Sequence, residues 1–255
     1  MNADKFLIIF LILVALITFS FSFFDYSLKN PVSVAAWNLN VFGDAKANNE
    51  SLMNQYKGII SEFDIIFLQE IRDIDGSAMK ILCDGLNNSY NCINSSRAGN
   101  SSYKEQYLLI YDKKFELLDF TDYNLLNVSG FIRPPIKAIF NYNNTSFAIY
   151  GIHVQPSNAA NEISNLENLV VNEGNVAVLG DLNADCAYYT IGDDFSDWSW
   201  TINEDTTVSS SDCIYDQIIV NRDFDKYFIN SAVYIENITK TLSDHYLIYS
   251  IFDLG

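Results

Sequence analysis

The sequence predicts an α/β fold, two packed mixed β-sheets flanked by helices, and three observations point to it. The 255 residues are 49% hydrophobic, enough to fill one large core. Short runs rich in β-branched and aromatic residues outnumber the amphipathic helical stretches interspersed among them. No break in composition, proline-rich linker or internal repeat divides the chain. A single domain is therefore expected over residues 32–255, behind an N-terminal extension.

That extension reads as a short segment (1–5), a hydrophobic helix (6–24) and a short linker (25–31). "FLIIFLILVALITFSFSFF", Phe6 to Phe24, carries no charge. Its nineteen residues, at about 1.5 Å each, come close to the roughly 30 Å of a bilayer's hydrocarbon. Lys5 precedes it, and Ser20-Phe21-Ser22 offers a small-x-small cleavage site. It is either a transmembrane anchor or a signal peptide. Apolar character all the way round argues against a buried core helix. Both readings put the domain outside the cytoplasm, membrane-anchored or secreted.

Within the domain, "PVSVAAWNLNVFG" is extended and closed by Gly43. "SLMNQYKGIISEF" sets Leu52, Tyr56, Ile59, Ile60 and Phe63 at helical spacing, with Ser51 as N-cap. "FDIIFLQE" is a short apolar run of the buried-strand kind, and a helix around "SAMKILCDGL" follows. "QYLLIYD", "IKAIFNYN" and "TSFAIYGIHV" read as strands. "SNAANEISNLENLVVNEG" is helical, with Ile163, Leu166, Leu169 and Val170 on one face and Gly174 as the stop. The strands "NVAVLGDLN", "YDQIIV", "SAVYIEN" and "HYLIYSIF" complete the chain.

Four cysteines without CxxC or Cys/His spacing suggest two disulfides rather than zinc, consistent with export. Eight N-x-S/T triplets, beginning at Asn49, Asn87, Asn94, Asn100, Asn127, Asn143, Asn144 and Asn237, point the same way. The net charge of −17 favours solubility and attracts divalent cations. Taken alone it argues against a nucleic-acid partner, unless metal ions or local basic residues offset it.

Four apolar runs end or begin on a polar residue suited to chemistry: Asn38, Glu70, Asp181 with Asn183, and Asp244 with His245. Strand ends on one edge of a sandwich converge, and acids, amides and imidazoles gathered there make a metal-assisted hydrolytic site.

"VAAWNLNVFG", "IIFLQEIRD", "SSYKEQYLLIYD", "GIHVQPSNAANEI", "VLGDLNADCAYY", "DCIYDQIIV" and "LSDHYLIYSI" occur in that order. Together they resemble the DNase I branch of the endonuclease/exonuclease/phosphatase superfamily, from about Val32 to the C-terminus. The resemblance implies a four-layer α/β sandwich and a divalent-metal-dependent endonuclease. Its expected substrate is DNA, double-stranded, cut with little sequence specificity to 5′-phosphate and 3′-hydroxyl ends by a monomer. It further implies that Glu105 orients His153, that Asp216 orients His245, and that Asp181 and Asn183 complete the catalytic centre. The residue types suit these roles: a carboxylate fixes an imidazole's tautomer, and the imidazole then moves a proton.

Glu70 is the expected ligand of Mg²⁺ or Mn²⁺, assisted by Asn38, with Asp244 a further acid at the metal edge; for Glu70 a salt bridge with Arg72 is the alternative. Asp205, Thr207 and Ser211, in "DTTVSSSDC", match a family loop for structural Ca²⁺. Arg72, Tyr103, Arg133 and Tyr188 match residues that grip the DNA backbone and minor groove. Cys186 and Cys213 coincide with a family disulfide. Cys83 and Cys92 have no counterpart there and are read as a local pair. Within the superfamily, a sphingomyelinase-type lipid phosphodiesterase or an RNA-cleaving enzyme is the rival reading, and from another class, a catalytically silent surface binding domain.

Overall fold

A computed structural model describes residues 31–100, 103–171 and 174–255. The expected anchor or signal segment, 6–24, lies outside them. Among the described residues no helix is long and apolar enough to cross a membrane.

The chain runs β1 (Pro31–Phe42), α1 (Asp44–Ala47), α2 (Glu50–Ile60), β2 (Ile65–Ile71), α3 (Ser77–Gly85), β3 (Tyr90–Asn94), β4 (Gln106–Asp112), β5 (Glu116–Asp122), β6 (Ile136–Tyr142) and β7 (Thr145–Gly151). A 3₁₀ turn (Pro156–Asn158) leads into α4 (Ala159–Leu169). Next come β8 (Asn175–Asp181), β9 (Ser199–Trp200), β10 (Asp216–Val220), α5 (Arg222–Asp225), β11 (Phe228–Tyr234) and β12 (Leu247–Asp253).

Two six-stranded sheets result, ordered β11-β12-β1-β2-β4-β3 and β5-β6-β7-β8-β10-β9. Both share one plan. A parallel pair sits at the centre, β1 with β2 and β7 with β8, and antiparallel strands flank it. Alternation along the strands sorts their side chains into layers. Val34, Ala36, Phe67 and Leu109 meet Ile149, Leu179 and Ile218 between the sheets. Trp37, Ile66 and Leu68 face outward under α1, α2 and α3. On the other sheet Tyr150, Val176 and Val178 pack against α4. The result is the expected four-layer sandwich.

Some boundaries differ from the sequence reading. The cap of α2 is Asn49, whose side chain accepts the Leu52 amide at 3.2 Å, not Ser51. Helix α4 stops at Leu169, and Val170 has already turned extended, ahead of Gly174. Strands β3, β5 and β9 were not anticipated; β5, "ELLDFTD", is an edge strand with mixed exposure and no clean alternation.

The strand ends near β1 and β2 are irregular. Asn40, Val41 and Glu70 have φ of 45°, 61° and 57°, left-handed values that cost non-glycine residues energy, most of all a β-branched one. Both ladders shift register there. On the other sheet Gly180 takes φ 136°, and a Cβ on it would lie 2.0 Å from the Ile152 carbonyl oxygen. Only glycine lets β8 pass that close to the segment that delivers His153.

Candidate active site

The strand ends of both sheets meet at one edge, and each histidine there is held from the opposite sheet. His153 follows β7, while its partner Glu105 precedes β4 in the other sheet; Nδ1 and Oε1 are 2.6 Å apart. His245 precedes β12, and its partner Asp216 opens β10 in the other sheet, with Nδ1 and Oδ2 at 2.7 Å. Both imidazoles turn their Nε2 toward Asp181 Oδ2, at 3.3 Å from His153 and 3.7 Å from His245. Asp181 also accepts Asn38 Nδ2 at 2.9 Å and, through Oδ1, the Asn183 amide at 3.1 Å.

Burial opposes charge on every one of these groups; at Asp216 it prevails and raises the carboxyl's pKa despite His245, while at the others the partners decide the outcome. Burial lowers the His245 pKa, but Asp216 and Asp181 outweigh it and push it up to about 10. His153 is likewise raised against burial by Glu105 and Asp181. Burial lifts the Asp181 carboxyl, yet His245, His153 and the Asn38 amide hold it below the usual range. Glu105 is lowered too, its burial outweighed by His153, Arg133 and Arg72.

Glu70 stands at the rim, with Oε2 accepting the Val41 amide at 3.0 Å and bridging Arg72 Nη2 at 3.2 Å. Its Oε1 has a long 3.4 Å contact with Asn38 Nδ2. An under-used carboxylate oxygen with few protein neighbours suits a hard divalent ion that keeps most of its water. Glu70 is therefore a carboxylate that could hold a divalent ion at this edge. Asn38 does not present its oxygen to that position: Oδ1 accepts the Asn40 amide, and Nδ2 lies between Glu70 and Asp181. Asn38 therefore acts as a donor between two acids. Asp244 is exposed and stands outside both imidazole–carboxylate groups; its charge acts on His245 and Lys46.

Arg72 and Tyr103 line one cavity with Glu70 and His153, the guanidinium 5.9 Å from the ring centre. Arg133 joins that wall, but it is not the free grip the sequence suggested. It is buried, its Nε donates to the His153 carbonyl at 2.9 Å and its Nη2 to that of Val154 at 3.1 Å. Asn183 similarly gives its side-chain amide to the Val154 carbonyl at 3.0 Å. Tyr188 is exposed and packs beside Tyr215, whose ring is 6.3 Å from that of His245. Asp205, Thr207 and Ser211 share one turn: Thr207 Oγ1 donates to Asp205 Oδ1 at 2.8 Å and lies 2.7 Å from the Ser211 carbonyl. Cys186 pairs with Cys213 and Cys83 with Cys92.

Sequence reasoning missed Lys46. Its Nζ lies within 2.6–2.7 Å of the carbonyls of Leu39, Asn40 and Leu242, linking the end of β1 to the loop that carries His245. A lone lysine three residues past Gly43 gave no signal stronger than a helix-surface charge.

The Endonuclease/Exonuclease/phosphatase family matches residues 35–245, and the chain belongs to that family. Deoxyribonuclease-1 of Bos taurus is 33% identical over 220 residues, 74% of this chain and 77% of the relative. That of Gallus gallus is 33% identical over 213 residues, 73% and 76% respectively. Among solved structures, an endonuclease/exonuclease/phosphatase from Bacteroides vulgatus has a TM-score of 0.65 at 18% identity, covering 89% of this chain and 100% of that one. D. rerio TDP2 complexed with single strand DNA product has a TM-score of 0.63 at 14% identity, over 88% and 99%. These two share the fold. Within the family the chain falls in the DNase I branch, and it is a phosphodiesterase.

Proposed function

We propose that the protein is an exported, divalent-metal-dependent endonuclease that hydrolyses DNA phosphodiester bonds with little sequence preference, leaving 5′-phosphate and 3′-hydroxyl ends. The observation that carries this reading is the approach of two carboxylate-held imidazoles to one oxygen of Asp181, at 3.3 and 3.7 Å. The deoxyribonuclease-1 relatives supply the substrate class, and two disulfides suit an oxidising compartment.

Glu70 would hold the Mg²⁺ or Mn²⁺, which when bound offsets charge developing on the phosphate. Asp181 aligns the attacking water and takes its proton, while the His245 cation, held by Asp216, donates to a phosphate oxygen. His153, kept protonated by Glu105, donates to the departing 3′-oxygen. Arg72 and Tyr103 contact the backbone of the duplex. Asp205, Thr207 and Ser211 would take a structural Ca²⁺ and steady the loop that precedes Asp216.

The test is plasmid nicking in Mg²⁺ with and without Ca²⁺, beside an EDTA control, His245→Ala and Asp205→Ala. Nicking should vanish in EDTA and fall about 10²–10⁴-fold in His245→Ala. Added Ca²⁺ should stimulate the parent but not Asp205→Ala. Cut ends should accept a kinase-borne label only after phosphatase treatment. A parent that leaves DNA intact but cleaves RNA or sphingomyelin vesicles would replace this reading.

A further inference from the structure

The chain has 32 Asp and Glu against 15 Lys and Arg, so a polyanion needs a place where that imbalance is locally reversed. Beside the histidines there is one. From Glu70, Arg72 and His153 a cavity of about 570 Å³ extends to Gly99 and Ile132, and these two residues also wall a second cavity of about 390 Å³. Among the described residues lining the pair, Glu70 is the one acid, against Arg72, Arg133, Arg97 and Lys104.

The second cavity is built rather than incidental. Arg97 Nη2 donates to the Lys104 carbonyl at 2.7 Å, which sets the guanidinium. Asp122 accepts the Ser96 amide at 2.6 Å, and Asn124 Nδ2 reaches Ser96 Oγ at 2.8 Å and the Arg97 carbonyl at 3.3 Å. Ala98 pairs with Glu105 in an antiparallel bridge, tying this loop to the carboxylate that holds His153. Arg97 Nε is enclosed and without a hydrogen-bond partner among the described residues. Lys80, Lys114 and Lys226 are bridged to carboxylates; among the described residues neither Arg97 nor Lys104 has such a bridge.

We propose that Arg97 and Lys104 form a second phosphate subsite, which takes a backbone phosphate of the DNA strand beyond the scissile bond on the His153 side. The inference rests on the DNA-hydrolase reading above. Such contacts fix register without reading sequence, and each adds to the salt dependence of binding.

The experiment measures binding of a labelled duplex by fluorescence anisotropy in Mg²⁺, from roughly 50 to 200 mM salt, on a His245→Ala background that slows cutting. Each phosphate contact contributes about 0.9 to the slope of log affinity against log salt. Arg97→Gln with Lys104→Gln should lower the slope by about 1.8 and weaken binding roughly tenfold at the low-salt end. Lys104→Gln alone removes a side chain with no intramolecular hydrogen bond among the described residues. It should lower the slope by about 0.9, which guards against misfolding of the double variant. Lys240→Gln, at an exposed site elsewhere, should keep the parent slope. If the His245-bearing parent nicks plasmid and neither variant changes the slope, the subsite is wrong while the nuclease reading stands. If that parent neither nicks nor binds DNA, both fall together.

Discussion

Burial by itself would strip the proton from both imidazoles, and their carboxylate partners reverse that. With only two histidines in the chain, ¹⁵N-labelled imidazoles give an NMR spectrum that a His245→Gln variant assigns. In metal-free protein the His245 signal is expected to remain that of the cation until the pH nears about 10; titration near 6.5 would mean that the Asp216 pairing does not hold in solution. The same shift has a stability sign. A raised pKa stabilises the fold below the ordinary 6.5, and the contribution fades as pH climbs toward about 10. Lys46, lowered by burial to about 8 despite Asp244 and Glu70, works in the opposite sense between there and 10.5. The difference between parent and His245→Gln, not the parent alone, isolates the imidazole.

At the scale of elements, the end of β1 and the 242–245 loop are stitched together, although they lie two hundred residues apart in the chain. Trp37 Nε1 donates to the His245 carbonyl at 2.9 Å, Ser243 Oγ to that of Asn38 at 2.6 Å, and Tyr56 to that of Leu242 at 2.5 Å. Lys46 adds its three carbonyls beside the left-handed Asn40 and Val41. Replacing it with methionine strands those acceptors, at a cost of about 2–4 kcal/mol. Urea unfolding should show that loss, and turnover should fall more than substrate affinity; unchanged unfolding and kcat would rule out the tie. Strands with continuous apolar runs, β2, β4 and β8, were legible in the sequence because burial on both faces leaves little room for polar residues. Edge strands β3 and β5 were not: one side lacks a neighbour, so Asn91, Glu116 and Asp119 are tolerated there and blur the pattern.

At the scale of the molecule, the disulfides brace two different regions. Cys186–Cys213 closes a separation of 27 residues and Cys83–Cys92 one of 9. Opening them by paired serine substitution should cost about 3.5 and 2.6 kcal/mol on the loop-entropy scale, checked by urea midpoints; the reverse ranking would contradict that account. Asn38, Glu70, Asp181, Asn183, Asp244 and His245 were legible as candidates because each lies at an end of an apolar run, as with Glu70 after "IIFLQ" and Asp181 after "VAVLG", whereas Glu105 and Asp216 entered through the family resemblance. The shared plan of the two sheets was not, since nothing in the side chains of β1–β2 repeats in β7–β8; only the backbone does. Lys46 was missed and Arg133 was read as a DNA contact for a related reason, because their partners are main-chain carbonyls that carry no sequence signature.

The crossing of each histidine–carboxylate pair from one sheet to the other has a practical meaning. A half-assembled chain, with either layer formed alone, contains neither histidine–carboxylate pair, and a slip of one layer against the other parts both pairs together. Under the proposed activity, cutting power requires the two sheets to be docked in register.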